Sequence, residues 1–271
     1  MLRHNPYKWW NIIFYLIMIA VNAAAVIIPL GGHTTGELSD KYHTPVTPAG
    51  YAFMIWSLIY LLLAGFCIYQ FRRFTEHRDS VRSIGFWFVL SCVFNAGWIL
   101  LWQNQLVAAS VLDMIALLVT LVIIYRKTRL IPDPTRGEQF FLRLPFSLYL
   151  GWICAALLVN MAAVLQKNSW GGQGLQLDGI AIVLLALGAA AALITAFRGR
   201  DFILPLALVW AYSAIAFEQK DTVNVYITAI GLAAFLLGFS LWILLFRPAD
   251  DRRGAKGYPR FGFTSTRRHG Q

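Results

Sequence analysis

Four polar side chains stand where an otherwise apolar chain should not carry them: Asn22, Asn95, Asp113 and Asn160. Each lies inside a long hydrophobic run. A polar group in hydrocarbon is costly and faces a bundle interior or a cavity. At a rise of about 1.5 Å per residue, all four fall roughly 9–14 Å below the same surface, although they come from four different runs. Such a layer can hydrogen-bond helices to one another, or offer polar groups to a ligand. Asp113 adds a third chemistry, since a lone carboxylate inside a span can hold a proton or a cation. Deep aromatics accompany the layer: Trp56, Trp152 and Trp210, with Trp98 about a turn below the interface, and Tyr60, Tyr149 and Tyr212. They read either as packed core or as the walls of a flat apolar pocket with a few placed polar groups.

The elements that must carry these residues are membrane helices. Hydrophobic residues make up 58% of the 271-residue chain and charged residues 13%, against about 25% charged in an average soluble chain. Apolar runs near 10–30, 50–70, 85–104, 106–126, 141–166, 177–197, 202–218 and 223–246 have the length needed to cross ~30 Å of hydrocarbon. Helix is expected over strand because the runs are unbroken. The expected fold is therefore an all-α integral membrane protein with eight transmembrane helices. The seventh run is the shortest.

Charge sets the orientation. Of the 23 Lys and Arg, all but Lys41, Lys167 and Lys220 fall on one side of an eight-span arrangement. Basic residues mark the cytoplasmic side, so both termini are placed in the cytoplasm of a plasma-membrane, multi-pass protein. The net charge of +10 is spread over five segments, which suits attraction to anionic lipid and argues against nucleic acid as a partner. Arg3 and Lys8 before an apolar stretch imitate a signal peptide, but residues 11–30 are long for its core, and the run is taken as a retained span.

Other chemistry is thin. Cys67, Cys92 and Cys154 lie in spans and offer neither a disulfide framework nor a zinc set. The histidines, His4, His33, His43, His77 and His269, fall outside the spans. No metal site, required cofactor or catalytic residue is assigned. There is no phosphate-binding glycine loop and no intramembrane Ser and His pair. Trp9, Trp10, Trp87, Trp102, Trp170 and Trp242 sit near span ends, where an interfacial belt accounts for them.

Ordered motifs then point to a family. Pro48-Ala49-Gly50-Tyr51-Ala52-Phe53, followed by Trp56 and Tyr60, resembles the second-helix Pro-x-Gly-Trp-x-Phe segment of the translocator proteins, or tryptophan-rich sensory proteins (TspO/MBR). Asn95-Ala96-Gly97-Trp98 resembles the third-helix Asn-x-x-Trp, and Asp113 stands where the fourth helix often carries Asp. Leu144-Pro145-Phe146-Ser147-Leu148-Tyr149, with Gly151-Trp152 and Asn160, resembles the fifth helix. Tyr51 and Tyr149 replace tryptophans of the family pattern, and Asn160 comes about one helical turn late.

The resemblance covers about 45–166 and implies a five-helix bundle over 1–170. Residues 171–247 would then be a three-helix membrane extension, and 248–271 a flexible basic cytoplasmic tail. It also implies a membrane sensor or regulator, often homodimeric, that binds flat hydrophobic ligands such as porphyrins, haem or sterol-like molecules, with their transport as a further expectation. Trp56, Tyr60, Asn95, Trp98, Tyr149 and Trp152 would line the pocket, joined by Asn22, Asp113 and Asn160 of the polar layer. The 31–48 loop and the helix start after it, with Thr34, Thr35, Glu37, Pro48 and Gly50, are expected to act as a lid. The competing expectation is a proton- or cation-coupled transporter of a small solute built on Asp113.

Overall fold

In the computed structural model, residues 5–28, 32–72, 79–168 and 177–246 are described. Arg3, His4, Arg73, His77, Arg78, Trp170 and the 248–271 tail lie outside them. The first helix, α1, spans Lys8–Ile27, and a short α2 spans Thr35–Lys41. A tight 3-10 turn over Gly50–Met54 leads into α3, Ile55–Tyr69. Next come α4, Asp79–Gln103, and α5, Val107–Arg129. A single turn, α6 (Arg136–Glu138), and a π-turn over Gln139–Arg143 open α7, Leu144–Lys167. The series ends with α8, Leu177–Gly199, α9, Ile203–Glu218, and α10, Val223–Phe246.

The protein is an all-helical, multi-pass membrane protein. Among the described residues, seven helical segments are long and apolar enough to cross a bilayer, while α9, equally apolar, is shorter. Their outward faces carry bare apolar side chains such as Leu61, Leu112, Ile227 and Phe235. In water such a surface would aggregate; in lipid it is the solvated face. The third and fifth segments begin earlier than their apolar runs suggest, at Asp79 and Arg136. Capping explains the second case. Thr135 and Glu138 form a reciprocal capping box that satisfies the orphan N–H groups of the first turn.

The bundle has two unlike ends. At one, the 32–48 loop lies over the termini of α4 and α9. At the other, Arg129, Arg143, Arg200 and Asp201 gather. There Arg129 pairs with the buried Asp201 carboxylate at 2.6 Å and donates to Ser147 Oγ at 2.5 Å. Asp201 Oδ1 also accepts from the N–H of Ile203, the first residue of α9, at 3.0 Å.

Packing between α7 and α9 is close because α7 presents Gly151. A Cβ added there would collide with the Leu204 carbonyl oxygen and lie 2.8 Å from the Ala207 methyl. Gly151, of the small pair Gly151 and Ala155, thus serves an intramolecular helix contact, a question the pair's spacing leaves open. Gly151→Ala is expected to lower stability by about 1–3 kcal/mol, the usual effect of overpacking. Thermal unfolding in neutral detergent checks this; an unchanged midpoint would contradict it.

Candidate functional site

At mid-bundle the polar layer resolves into two hydrogen-bonded groups. The first joins α1, α3, α4 and α7. Asn22 donates to Asn95 Oδ1 at 2.8 Å, and Tyr60 donates to Asn22 Oδ1 at 2.8 Å. Tyr60 also lies 3.4 Å from Asn95 Oδ1, and Asn95 Nδ2 donates to the Tyr149 hydroxyl at 2.9 Å. Asn95 and Tyr149 are fully buried. The second group joins α5 and α7, where Ser110 donates to Asn160 Oδ1 at 3.1 Å.

Asp113 belongs to neither group. Its carboxylate packs against Gly97 of α4, where an added Cβ would stand 2.8 Å from Oδ1. One of its oxygens, Oδ2, is buried without a hydrogen-bond partner. The depth estimate therefore brings Asn22 and Asn95 into direct contact, whereas Asp113 meets the bundle at the α4–α5 seam.

An aromatic cluster lies beside the first group. Trp56 stacks on Tyr60 (5.4 Å between ring centroids, planes 24° apart) and on Trp98 (6.2 Å, 30°). Its ring also meets Tyr149 and Trp152 edge-on, at 5.8 and 6.1 Å. Trp98 continues the stack onto Trp102 at 6.2 Å, and Phe53 meets Trp152 edge-on. Such pairs contribute about 0.5–1.5 kcal/mol beyond simple burial.

Between this cluster and the loop lies a cavity of about 40 Å³. Trp56, Trp98, Trp102 and Trp152 line it, with Phe53 and the Asn160 side chain. Thr35, Ser39 and Pro48 of the loop form its roof, while Ala211 and Ile215 bring in α9. Three buried hydrogen-bond donors on these lining residues have no acceptor: the indole N–H groups of Trp98 and Trp152, and Nδ2 of Asn160. An unpaired buried donor costs about 1–3 kcal/mol. All three belong to residues that line the same apolar cavity.

The loop over the cavity is ordered by specific bonds. Thr34 and Glu37 make a capping box for α2, with the Thr34 N–H donating to Glu37 Oε2 at 2.8 Å. Trp102 donates to the Thr35 carbonyl at 3.3 Å. Lys41 donates to Gln105 Oε1 at 2.8 Å, and Lys167 to the Gln105 carbonyl at 2.7 Å. From α9, Gln219 donates to the carbonyls of Thr44 and Thr47, each at 3.2 Å. The Ala49 N–H reaches the Ala214 carbonyl at 3.1 Å, and Trp210 donates to the Ala52 carbonyl at 3.0 Å. Gly50 opens the 3-10 turn at the foot of the loop.

Of the residues singled out from sequence, Trp56, Trp98, Trp152, Asn160, Thr35 and Pro48 line the cavity. Tyr60, Asn95, Tyr149 and Asn22 form the polar support behind it. Thr34, Glu37 and Gly50 shape the loop without lining the cavity. Sequence reasoning assigned Trp102 to the interfacial belt, but it is buried and lines the cavity. Its spacing of four from Trp98, one helix face, was the available signal. Ala211, Ile215 and Gln219 carried no signal of their own. Tyr212 turns away and donates to the Leu185 carbonyl of α8 at 2.7 Å. Among the described residues, no cluster of His, Cys, Asp or Glu could hold a metal ion.

A family model described as TSPO-like protein matches residues 8–242. The match runs through α8 and α9 and into α10, well beyond the motifs between 45 and 166. No curated protein and no solved structure matches the chain.

Proposed function

Since the chain belongs to the TSPO-like protein family, we propose that it is a membrane-embedded sensor or regulator that binds flat hydrophobic ligands, such as porphyrins or sterol-like lipids, in the cavity beneath the 32–48 loop. The observation that carries this reading is the set of three unpaired buried donors around one aromatic cavity. A planar ligand with peripheral carbonyl or carboxylate groups supplies both needs: an apolar face for the tryptophans and acceptors for the N–H groups. Haem or another porphyrin is in this reading a guest rather than a required cofactor.

The cavity volume of about 40 Å³ suits a few waters, whereas ligand sites span roughly 300–1,000 Å³. A tetrapyrrole therefore needs an opened form. Trp56, half-buried and wedged between Tyr60, Trp98 and Trp152, is the side chain whose rotation enlarges the site. Lifting of the loop supplies the route in. The bonds from Gln105 and Gln219 to the loop are the ones that must break.

In this reading α9 is the eighth span and both termini lie in the cytoplasm of a plasma-membrane protein, as the basic residues demand. Residues 1–170 supply most of the site and 171–247 supplement it through α9. The basic 248–271 tail faces the cytoplasm, and two copies assemble as a homodimer.

Protoporphyrin is expected to quench intrinsic tryptophan fluorescence saturably. Trp56→Ala or Trp98→Ala should weaken that binding roughly 10-fold or more, as loss of a base-sized stacking contact does. Linear, non-saturating quenching that is unchanged in both variants would refute the reading.

One observation favours a second reading, a proton- or cation-coupled transporter: the buried, unpartnered Asp113 oxygen in a membrane helix. It requires pH-dependent uptake into proteoliposomes that Asp113→Asn abolishes. The first reading expects Asp113→Asn to leave ligand binding intact, because Asp113 does not line the cavity.

A further inference from the structure

At the end of the bundle opposite the loop, a second cavity of about 860 Å³ opens between α3, α7, α9 and α10. Its composition is divided. Leu58 and Leu62 of α3, Leu148 of α7, Leu206 of α9 and Ile243 of α10 make apolar walls. Arg129, Arg136, Arg143 and Arg200 stand at the polar end, against the single carboxylate of Asp201.

The four guanidinium groups are not equivalent. Arg129 is held by Asp201 and Ser147. Arg143 donates to the carbonyls of Thr128 and Ile131, both at 3.2 Å. These two shape the wall. Arg136 and Arg200 are exposed, and neither has an ion-pair partner among the described residues. Arg200 occupies a left-handed backbone position, φ 48°, where Gly or Asn is the easier residue. The tight α8–α9 turn nevertheless presents an arginine there.

We propose that this groove is a binding site for an anionic phospholipid, with the phosphate at Arg136 and Arg200 and an acyl chain along the leucines. The charge imbalance calls for an anion, and guanidinium groups match phosphate geometry. The apolar walls call for a hydrocarbon chain. Leu58 lies 11 residues from the Tyr69 end of α3, or about 16 Å into the bilayer at ~1.5 Å per residue. A soluble anion would use only the mouth of such a groove. Basic pockets between membrane helices are known receptors for acidic headgroups. The site is separate from the loop-side cavity, so either can fail without the other.

The test is native mass spectrometry of delipidated full-length protein in neutral detergent. It is titrated with phosphatidylglycerol, with phosphatidylcholine of the same chains, and with glycerol phosphate. Phosphatidylglycerol should bind as one saturable adduct, with the other two at least roughly 10-fold weaker. Arg136→Gln with Arg200→Gln should weaken the adduct roughly 10- to 30-fold, since each basic residue at an anionic surface is worth about fivefold. Arg126→Gln with Arg198→Gln removes the same charge outside the groove and should leave the affinity unchanged. Equal losses in the two double variants would mean diffuse attraction and overturn the site. Equal binding of glycerol phosphate, or of phosphatidylcholine, would overturn the lipid assignment. These lipid comparisons stand on the native chain even if a variant misfolds.

Discussion

Asn95→Ala is expected to lower the unfolding free energy by about 2–3 kcal/mol, because one side chain links the helices of the first polar group. Its amide donates to Tyr149 at 2.9 Å, and its carbonyl oxygen accepts from Asn22 at 2.8 Å. In membrane bundles such a bond averages only about 0.6 kcal/mol. The larger part comes from what is left behind. Tyr149 is fully buried, and a buried hydroxyl stripped of its partner costs about 1–3 kcal/mol. Asn22 would keep the Met18 carbonyl at 2.9 Å and Tyr60 would keep Asn22, which limits the damage. A double-mutant cycle separates these parts. Tyr149→Phe alone should cost about 1 kcal/mol, whereas once Asn95 is alanine it should restore part of the loss, because it removes the stranded hydroxyl. Unfolding in mixed micelles, followed by circular dichroism, reads both effects. Strict additivity would show that the two residues do not act through their mutual bond.

The second large effect is at the opposite end. Asp201→Ala is expected to cost about 3–4 kcal/mol. It leaves Arg129, 15% exposed, without the carboxylate that lies 2.6 Å away, and a broken buried ion pair typically costs 3–5 kcal/mol. It also removes the acceptor of the Ile203 N–H at the start of α9, a hydrogen bond typically worth about 1 kcal/mol. Asp201→Asn retains an oxygen for the Ile203 N–H and should cost roughly 1 kcal/mol less. Replacing Arg129 and Asp201 together by apolar residues should restore much of the loss, because the desolvation penalty then falls on neither partner. The same unfolding assay applies. A double variant less stable than Asp201→Ala would show that the pair contributes net stability.

How far the sequence foretells this structure depends on the kind of information each feature needs. Apolar length is local, so the helices could be read from their runs, and α9 already stood out as the shortest. The membership in the TSPO-like family was readable too, from motifs whose order is itself sequence information. Depth in the membrane is a count along a helix, which is why Asn22 and Asn95 could be placed at one level, where they do meet. Azimuth is another matter. Asp113 and Ser110 are three residues apart on α5, yet Ser110 bonds Asn160 of α7 while Asp113 packs on Gly97 of α4. Only the packing of neighbours decides which polar group turns where. Trp102 misled because a span-end position resembles an interfacial anchor until a loop folds over it. The α2 helix had a local signature in Thr34 and Glu37. The clasp of Gln219 on Thr44 and Thr47 is long-range in sequence and had none.

The central claim is that the free N–H groups of Trp98 and Trp152 exist to meet a ligand. Proton–nitrogen correlation spectra of indole-labelled protein address it directly, with Trp98→Phe and Trp152→Phe assigning the two signals. On saturation with protoporphyrin, both indole resonances should move downfield as each N–H gains an acceptor, while those of Trp9 and Trp242 stay in place. If protoporphyrin binds and these two resonances remain where they were, the guest lies elsewhere and the account of the cavity is wrong.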